Sequence, residues 1–550
     1  MSIPPPARRL ASGALSARVP AFGNQGNAVK RAGLLGHLLT FQSWTLASRV
    51  LGLVRDIVIG VVFGASGTTD AFLVAFKVPN FMRRLFAEGA FAQAFVPVLS
   101  QWRETSSPAE VRRLIAHVTG TLALVLVALT ALGVAGAEYV AHVFAPGWPA
   151  AKPEQFALAV DLLRWTFPYL LLISLTACAG AVLNTWGSFG PPAFAPVLLN
   201  LSLIAAALWI APHLDPPILA LAMAVVVAGA LQLAAQLPFL AHHGVLVAPR
   251  PDPRHPGVGR ILRLMGPTLF SVSVQQINLL VDTILASFLV SGSISWLYWS
   301  DRLVEFPLGL FGVALGTVIL PRLSGEHGRG DPAAFARTLD WSLRLTLLIV
   351  MPATVGLMTL SVPMMATLFQ YGAFTGTDVL AASLSLMSYA LGLAGFVLVR
   401  ILTPGFFARQ DTRSPVRCAA IAMVANMVLS TALVAWLVGT GTGHIGLAGA
   451  TALAACINAA LLYRGLRRHG HYTPEPGWPR LVNRALVATL AMAVVLYMPA
   501  LRVDVWLAAG VALRALMLTA SVLAGALVYG VVLWLGGLRP RELRAPAAPT

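Results

Sequence analysis

Long apolar runs separated by short polar segments recur along most of this chain. Most of these runs reach about 20 residues, the length that a helix needs to cross a bilayer. Inside a bilayer only helices and closed barrels satisfy every backbone hydrogen bond, and runs this long favour helices. The pattern therefore predicts an all-α polytopic membrane protein. Fourteen transmembrane helices are expected, at roughly 34–62, 69–100, 114–137, 157–184, 192–211, 217–241, 261–290, 294–321, 338–362, 378–405, 416–438, 445–463, 482–500 and 508–536.

Positive charge is distributed unequally between the two sides of these helices. The chain has 38 Lys and Arg against 21 Asp and Glu, a formal net charge of +17. With a cytoplasmic N-terminus, Lys152 and Arg502 are the only basic residues in the predicted external loops. Because positive charge concentrates on the cytoplasmic side, both termini are predicted to be cytoplasmic. The same rule accounts for the net charge, so no nucleic-acid partner is expected.

The ends of the chain and its internal similarity suggest a domain organisation. Residues 1–33, rich in Pro, Ala, Gly and Arg, have no sustained apolar segment of a signal peptide and are expected to form a disordered cytoplasmic tail. The second and eighth predicted helices end in GAFAQAFVPVLS and GVALGTVILPRLS, and their prolines, Pro97 and Pro321, lie 224 residues apart. Six helices separate the copies, so the repeats are predicted to be parallel, two six-helix lobes related by a pseudo-two-fold axis. The expected units are an N-lobe at 34–241, a cytoplasmic linker at 242–260, a C-lobe at 261–470, two extra helices within 471–537 and a cytoplasmic tail at 538–550.

The first two predicted helices carry charged residues at membrane depth. A charge at the centre of a bilayer costs at least about 2.5–3.5 kcal/mol, so such residues persist where they face water or a partner. They are Arg49, Arg55, Asp56, Asp70, Lys77, Arg83, Arg84 and Glu88. Three of the eight are acids, and ion pairs between helices would explain part of the set. The surplus of positive charge predicts a cavity that binds an anion.

The eighth predicted helix carries a second charged group. Asp301 and Glu305 are one turn apart, with Arg302 between them. The preceding aromatic residues favour an interfacial belt over a sugar-stacking site. Arginine suits a diphosphate, since its planar fork donates two hydrogen bonds and stays charged. Arg302, Arg49 and either Arg83 or Arg84 are therefore predicted to clamp a diphosphate between the lobes.

A single carboxylate in the seventh predicted helix, Asp282, stands among apolar residues. An isolated buried carboxylate needs a proton or a cation. Asn426 and Thr451, in the eleventh and twelfth helices, are neutral oxygen donors of the kind that Na⁺ accepts. A tentative cation site is predicted from these three residues. A carboxylate that is simply protonated or paired with another helix remains an equal alternative.

Several ordered segments resemble one family. SRVLGLVRD, TDAFLVAFKVPNFMRRLFAEGAFAQAFVPVL, YWSDRLVEFPLGLFGVALGTVILPRLS, LFQYGAFT and PGFFARQDTRSPV are similar to the signature segments of the MurJ (MviN) lipid II flippases, a branch of the multidrug/oligosaccharidyl-lipid/polysaccharide exporter superfamily. The resemblance covers about residue 34 to the C-terminus. It implies two six-helix lobes with two added helices, in the bacterial inner membrane. It also implies transport of undecaprenyl-diphosphate carrying a disaccharide–pentapeptide, lipid II, from the cytoplasmic to the periplasmic leaflet.

The resemblance also assigns residues. It places family cavity arginines at Arg49, Arg55, Arg83 and Arg302 and an acidic partner at Asp56, while Asp70 matches a further family acid. The family's cation site corresponds to the seventh, eleventh and twelfth helices. Ser430 stands where a second acid occurs in relatives, which weakens the assignment to Na⁺.

Transport is predicted rather than catalysis. The chain lacks the nucleotide-binding pattern G-x-x-x-x-G-K-[ST], and no histidine is close in sequence to Arg49, Arg83 or Arg302. The leading hypothesis is a lipid II flippase that uses alternating access, driven by the membrane potential or an ion gradient. An exporter of another polyprenyl-linked oligosaccharide, or of drugs, is the alternative.

No cofactor is expected beyond a coupling ion, Na⁺ or H⁺. The predicted partners are lipid II and membrane lipids, the protein is expected to be a monomer, and association with the cell-wall synthesis machinery is left open. The last two helices are predicted to hold the polyprenyl tail along small residues at Gly510, Gly525 and Gly530. A role limited to bracing the C-lobe is the alternative.

Overall fold

The computed structural model describes the backbone of residues 25–84 and 91–539, and their side chains except at 25–42, 267–276, 310, 313, 314 and 317. Glu88 of the predicted site lies outside the described residues. Within them the chain is helical and contains no β-strand. The first helix begins at Gln25, so residues 25–33, which we predicted as tail, are described as helix.

The helices fall into two lobes and a C-terminal pair. The N-lobe contains α1 Gln25–Phe63, α2 Gly67–Arg83, α3 Ala92–Thr105, α4 Pro108–Ala135, α5 Ala137–Phe144, α6 Trp148–Ala151, α7 Pro153–Thr166, α8 Pro168–Thr185, α9 Gly190–Ala205 and α10 Leu219–His242, with a π-helix at Ala206–Ile210 and a 3-10 helix at Ala211–His213. The C-lobe contains α11 Pro256–Ser287, α12 Ser293–Pro307, α13 Ala314–Gly328, α14 Pro332–Thr359, α15 Ser361–Phe369, α16 Gly376–Leu391, α17 Leu393–Phe407, α18 Arg413–Leu437 and α19 Gly443–Arg468, with a π-helix at Leu308–Val313 and a 3-10 helix at Val438–Thr440. The C-terminal pair consists of α20 Trp478–Ala500 and α22 Val511–Leu535, joined by the short α21 Val503–Ala508.

The predicted repeat is present in the helices of both lobes. A shift of 224 residues moves the bounds of α4, 108–135, onto those of α14, 332–359, and the bounds of α2, 67–83, onto 291–307, within two residues of α12. The helix caps coincide as well, since Ser107 caps α4 and Asp331 caps α14 through their side-chain oxygens. The parallel repeat is therefore confirmed, and it holds with little insertion or deletion.

Ten helical stretches in the described part of the chain are long and apolar enough to cross a membrane. They coincide with ten of the fourteen predicted spans. The other four predicted spans correspond to α1, α2–α3, α11 and α12–α13, which carry the charged residues or are interrupted. Two of these spans, α2–α3 and α12–α13, are divided between two helices, and the side chains of α1 and α11 are described only in part. The total of fourteen spans stays a prediction. The four spans without a counterpart among the ten stretches each carry residues of the predicted sites.

The two lobes pack against each other at one end of the bundle, which we name the Asp70 end. Asp70, at the start of α2, accepts hydrogen bonds from the backbone N–H groups of Gly292 (2.7 Å) and Ser295 (2.9 Å) in the C-lobe. The backbone of Ala373 donates to the carbonyl of Val61, 2.8 Å away, near the end of α1. These contacts close the space between the lobes at the Asp70 end.

The C-terminal pair is fastened to the C-lobe by a buried polar cluster. Asp340 of α14 is fully buried and accepts hydrogen bonds from the hydroxyl of Tyr472 (2.6 Å) and the indole of Trp478 (2.8 Å). Arg344 pairs with Asp340 at 2.6 Å and donates to the carbonyl of Pro476 at 2.9 Å. The connection that leads into α20 is thereby fixed on α14.

A second attachment lies at the other end of the pair. The buried Arg514 of α22 donates to the carbonyls of Ala366 (3.0 Å) and Gln370 (3.1 Å), at the end of α15, and to the carbonyl of Leu507 (2.8 Å). The unsatisfied carbonyls at a helix C-terminus favour a cation, so the arginine stabilises the junction of α15, α21 and α22.

Candidate functional site

A buried carboxylate, Asp56 of α1, lies at the centre of the contact between the lobes. Its oxygen Oδ1 accepts from Nε of Arg55 at 2.9 Å, and Oδ2 pairs with Nε of Arg302 at 3.3 Å. The hydroxyl of Tyr298 donates to Oδ1 at 2.9 Å. Only 2% of Asp56 is exposed, so burial makes these charge-assisted interactions necessary. The residues Arg55, Asp56, Tyr298 and Arg302 are named the Asp56 cluster below.

The Asp56 cluster is held in place from both lobes. Arg55 also donates to Oδ1 of Asn200 in α9 at 3.0 Å, and the amide of Asn200 donates to the carbonyl of Ser48 at 3.0 Å. The indole of Trp299 donates to the backbone carbonyl of Asp56 at 3.2 Å. The arginine is therefore oriented by its own lobe, while the carboxylate is bound by the other.

The interfacial interpretation of the aromatic residues in α12 is wrong for Trp299. This side chain is fully buried and packs edge-on against Phe374, 5.0 Å between ring centres. Trp296 donates its indole N–H to Asp378 at 3.0 Å. The sequence pattern of aromatic residues ahead of charges is the same for a belt and for a buried contact, so it could not separate the two.

Arg302 faces the space between the lobes as well as Asp56. Its side chain is 37% exposed and pairs with Glu305 at 2.7 Å, and Glu305 is 52% exposed. Asp301, on the same helix, is exposed too. Lys77 of α2 donates to the hydroxyl of Thr283 at 3.1 Å and is attracted by the charges of Asp301 and Asp282. Charged side chains from both lobes thus face the space between the lobes, which we call the cavity below; Lys77 is half-buried, and Asp301 and Glu305 are exposed.

Arg49 lies in the same cavity, on α1 seven residues before Asp56. Its guanidinium packs against the backbone of Gly309, in the π-helix of Leu308–Val313, where a methyl group would collide with Nη1. Its side chain is exposed. Arg49 therefore connects α1 of the N-lobe to the π-helix of the C-lobe. It lies farther from the Asp70 end than the Asp56 cluster does.

The remaining predicted residues have different surroundings. Asp70 is buried and caps the first turn of α12, where Gly292 adopts a φ of 93° that presents its N–H to the carboxylate. Arg83, half-buried, and Arg84, exposed, lie at the end of α2. A substrate-binding role for these three residues stays a prediction.

A hydrogen bond joins two of the three residues of the tentative cation site. Oδ1 of Asp282 accepts from the amide of Asn426, 3.2 Å away. Oxygen Oδ1 of Asn426 and the hydroxyl of Ser430 are buried nearby on α18 and have no hydrogen-bond partner within the described part of the chain. Thr451 donates to the carbonyl of Leu447 in its own helix at 3.1 Å. The buried oxygens next to Asp282 fit a small cation. Among the described residues no group of three or more His, Cys, Asp or Glu could hold a metal ion.

Sequence reasoning missed three polar residues of the cavity. Asn200 and Tyr298 complete the hydrogen bonding of the Asp56 cluster. Arg400 of α17 is exposed, and its Cγ lies 3.7 Å from where a methyl group on Gly312 would be. A basic residue inside an apolar run was the available signal for Arg400, since no other charge lies within the 378–405 span apart from Asp378 at its start.

Comparison with known proteins agrees with this geometry. A family model described as "Lipid II flippase MurJ" matches residues 59–517. A protein of Vibrio cholerae serotype O1 named "Probable lipid II flippase MurJ" is 46% identical over 522 residues, covering 93% of this chain and 98% of its own. The chain belongs to the MurJ family. A "Lipid II flippase MurJ" of Burkholderia cenocepacia is 42% identical, with 93% of this chain and 99% of the relative covered.

Solved structures show the same architecture. A structure titled "Lipid II flippase MurJ, inward closed conformation" matches with a TM-score of 0.72 and 26% identity, covering 90% of this chain and 98% of that one. An inward-facing multidrug transporter of the MATE family and MOP superfamily matches with a TM-score of 0.62, covering 78% of this chain and 97% of that one. At 13% identity the second match shows the fold alone. This MurJ-family protein is a transporter rather than an enzyme.

Proposed function

We propose that the protein translocates lipid II, the polyprenyl-diphosphate-linked peptidoglycan precursor, from the cytoplasmic to the periplasmic leaflet. The family name of its relatives states the substrate class. The observation that carries the proposal is the position of Arg49 and Arg302, which belong to different lobes and have exposed side chains within helices that the sequence predicts to cross the membrane. Exposed guanidinium groups between the lobes suit a diphosphate, which accepts two hydrogen bonds from each planar fork.

The position of the Asp56 cluster supports a mechanism of alternating access. The Asp70 end is closed by contacts between the lobes, and the ion pair of Asp56 with Arg302 is one of them. A diphosphate that approaches Arg302 competes with Asp56 for the same donors. Substrate binding would thereby weaken the contact that keeps the Asp70 end closed, and the lobes would separate there.

The proposed orientation places the Asp70 end on the periplasmic side. Lys152 and Arg502 are the only basic residues in the loops that would face the periplasm, and the segments on the opposite side are basic. Both termini are then cytoplasmic, and the protein is a multi-pass protein of the bacterial inner membrane. A monomer suffices for this mechanism, because one chain supplies both lobes and the cavity, and contact with the cell-wall synthesis machinery is an additional proposal.

Asp282 is the proposed site of ion coupling. A cation at Asp282, or a proton on it, would remove a negative charge that attracts Lys77 across the cavity. The unpartnered oxygens of Asn426 and Ser430 could complete a shell for Na⁺, a cation that accepts neutral oxygen ligands. Either Na⁺ or H⁺ would couple an ion gradient to the relative position of the lobes.

The C-terminal pair is proposed to hold the polyprenyl tail. Its helices expose many apolar side chains, among them Leu490, Val494, Leu523 and Leu527. Gly525 does not contribute open space, since a methyl group there would lie 3.0 Å from Leu496 of α20. Gly525 therefore serves the packing of α22 on α20, whereas a methyl group on Gly510 or Gly530 would meet no described atom within 4 Å. The tail would lie along the exposed apolar faces beside these two glycines.

Replacement of the cavity arginines in cells tests the proposed function. In cells depleted of their own flippase, the wild-type chain should restore growth and exposure of lipid II on the outer leaflet. Arg302→Ala and Arg49→Ala should each fail, because loss of a charge-assisted hydrogen bond costs about 1.5–3 kcal/mol. Lysine at either position should rescue only in part.

Arg337→Ala is the matched control for this experiment, because Arg337 is an exposed arginine of α14 outside the cavity. It should support growth like the wild type. Normal growth with Arg302→Ala and Arg49→Ala, at normal protein abundance, would contradict the proposed diphosphate site.

A further inference from the structure

The arginines of the cavity fall into two groups according to their partners. Arg55 and Arg302 are bonded to Asp56, and Arg302 also to Glu305. Arg49 and Arg400 are exposed, and neither has an ion pair or side-chain hydrogen bond with any residue that the structure describes. A cation in this position, on a membrane-embedded helix, is costly unless water or an anion faces it.

Arg49 and Arg400 flank one short segment. The guanidinium of Arg49 packs against Gly309, and the Cγ of Arg400 lies 3.7 Å from a methyl group placed on Gly312. Three residues of helix rise about 4.5 Å, so the two contacts are about one turn apart. The segment is the π-helix Leu308–Val313, and π-helical turns are frequent at functional sites.

The fold by itself does not require a charge at Arg400. The 224-residue repeat places Thr176 of α8 at the equivalent position in the N-lobe. Thr176 is buried and donates to the carbonyl of Leu172 in its own helix at 2.8 Å. A small polar residue thus serves the same helix packing in the other lobe, so packing does not explain the arginine of the C-lobe.

The contact of its Cγ with Gly312 directs the Arg400 side chain towards the Leu308–Val313 segment. The backbone carbonyl of Arg400 is 3.2 Å from a methyl group placed on Gly316, which brings α17 close to α13.

We propose that Arg49 and Arg400 form an entry subsite for the diphosphate of a polyprenyl diphosphate, distinct from the Asp56 cluster. The subsite spans the two lobes and lies nearer than Arg302 to the end of the cavity opposite the Asp70 end. A diphosphate binds there without displacing any ion pair within the protein. It reaches Arg302 afterwards, where it competes with Asp56. The inference rests on the proposed function and adds Arg400 to the residues that act on the substrate.

Binding of farnesyl diphosphate to the purified full-length protein in detergent tests the subsite. Arg400→Gln and Arg49→Gln should each lower the affinity about tenfold or more, as expected for the loss of a hydrogen bond to a charged group. Arg400→Lys should retain part of the affinity. Farnesol, which lacks the diphosphate, should bind equally to all variants.

A double-mutant cycle makes the test specific. If both arginines contact one diphosphate, their effects are not additive, and the double variant loses less than the product of the single losses. Arg337→Gln is the control and should bind like the wild type. Thermal unfolding of each variant shows whether it is folded, and Arg400→Lys serves if Arg400→Gln is not.

The outcomes separate this inference from the proposed function. Wild-type affinity in Arg400→Gln, together with a loss in Arg49→Gln, would overturn the subsite and leave the flippase proposal standing. Absence of diphosphate-dependent binding in the wild type, with Arg302→Gln unchanged as well, would contradict the proposed function itself.

Discussion

The two lobes share one helical scaffold, and they differ at the positions that carry charge. The repeat pairs Asp56 with Leu280 and Asp282 with Val58, so each lobe places an acid on its first helix where the other is apolar. In the N-lobe the acid is bound by arginines and closes the Asp70 end. In the C-lobe the acid accepts a hydrogen bond from the amide of Asn426. The repeated helices thus supply the architecture, while the differences between the lobes supply the substrate site and the ion site.

The connections that leave the two lobes extend the same comparison. After the N-lobe, the backbone N–H of Arg250 donates to the carbonyl of Ala116 on α4, 2.9 Å away. After the C-lobe, the connection at Glu475 and Pro476 packs on α14 at Asp340, the counterpart of Ala116. Helix α20 therefore continues from the C-lobe as α11 continues from the N-lobe. A backbone hydrogen bond holds the connection after the N-lobe, whereas the buried carboxylate of Asp340 holds the connection after the C-lobe.

Removal of the acid that joins the lobes should have the largest effect. Asp56→Ala leaves the buried Arg55 without its anion and frees Arg302, and breaking a buried ion pair costs about 3–5 kcal/mol. We expect loss of growth support and a lower thermal unfolding temperature of the purified protein. Asp161→Ala is the control, because its ion pair with Arg164 is exposed and worth about 1 kcal/mol at most. Equal behaviour of the two variants would show that the Asp56 cluster does not hold the lobes together.

The attachment of the C-terminal pair should show the next effect. Asp340→Ala removes the shared acceptor of Tyr472 and Trp478 and leaves Arg344 unpaired, at a cost of about 3 kcal/mol. Limited proteolysis should then cut the connection between α19 and α20 faster than in the wild type. Tyr472→Phe loses one hydrogen bond and should cost about 1 kcal/mol. An unchanged rate of proteolysis in Asp340→Ala would show that this cluster does not anchor α20.

The smallest effect is expected at the ion site. Asp282→Asn cannot release a proton or neutralise a cation, so transport should slow about tenfold, or about 1.4 kcal/mol in activation free energy, and lose its response to Na⁺ and pH. Binding of farnesyl diphosphate should be unchanged. Thr451→Val should have a smaller effect, since its hydroxyl already donates to Leu447. A normal response to both ions in Asp282→Asn would exclude a coupling role.

Much of this fold could be predicted from the sequence, because hydrophobic runs and basic loops report directly on a bilayer. The repeat was visible from the similar segments that contain Pro97 and Pro321. The charged residues of α1 and α12 were predicted to face a cavity, and the structure brings Asp56 and Arg302 together.

Partners distant in sequence were harder to predict. Asn200, 145 residues from Arg55, carries no signal that distinguishes it from other polar residues in an apolar helix. Arg400 was missed for a related reason, since its importance depends on the exposure of its side chain and on contacts with another helix. Asp70 was assigned to the substrate-binding set, while its described contacts are those of a helix cap.

Reconstitution of the purified protein with lipid II tests the central claim most directly. Vesicles would contain lipid II with a fluorescent head group, and a membrane-impermeant quencher would report how much of it reaches the outer leaflet. The wild type should increase the quenched fraction over time, while Asp56→Ala and Arg302→Ala should match vesicles without protein. A wild-type protein that leaves the quenched fraction at the level of empty vesicles, with an ion gradient and membrane potential imposed, would contradict the account.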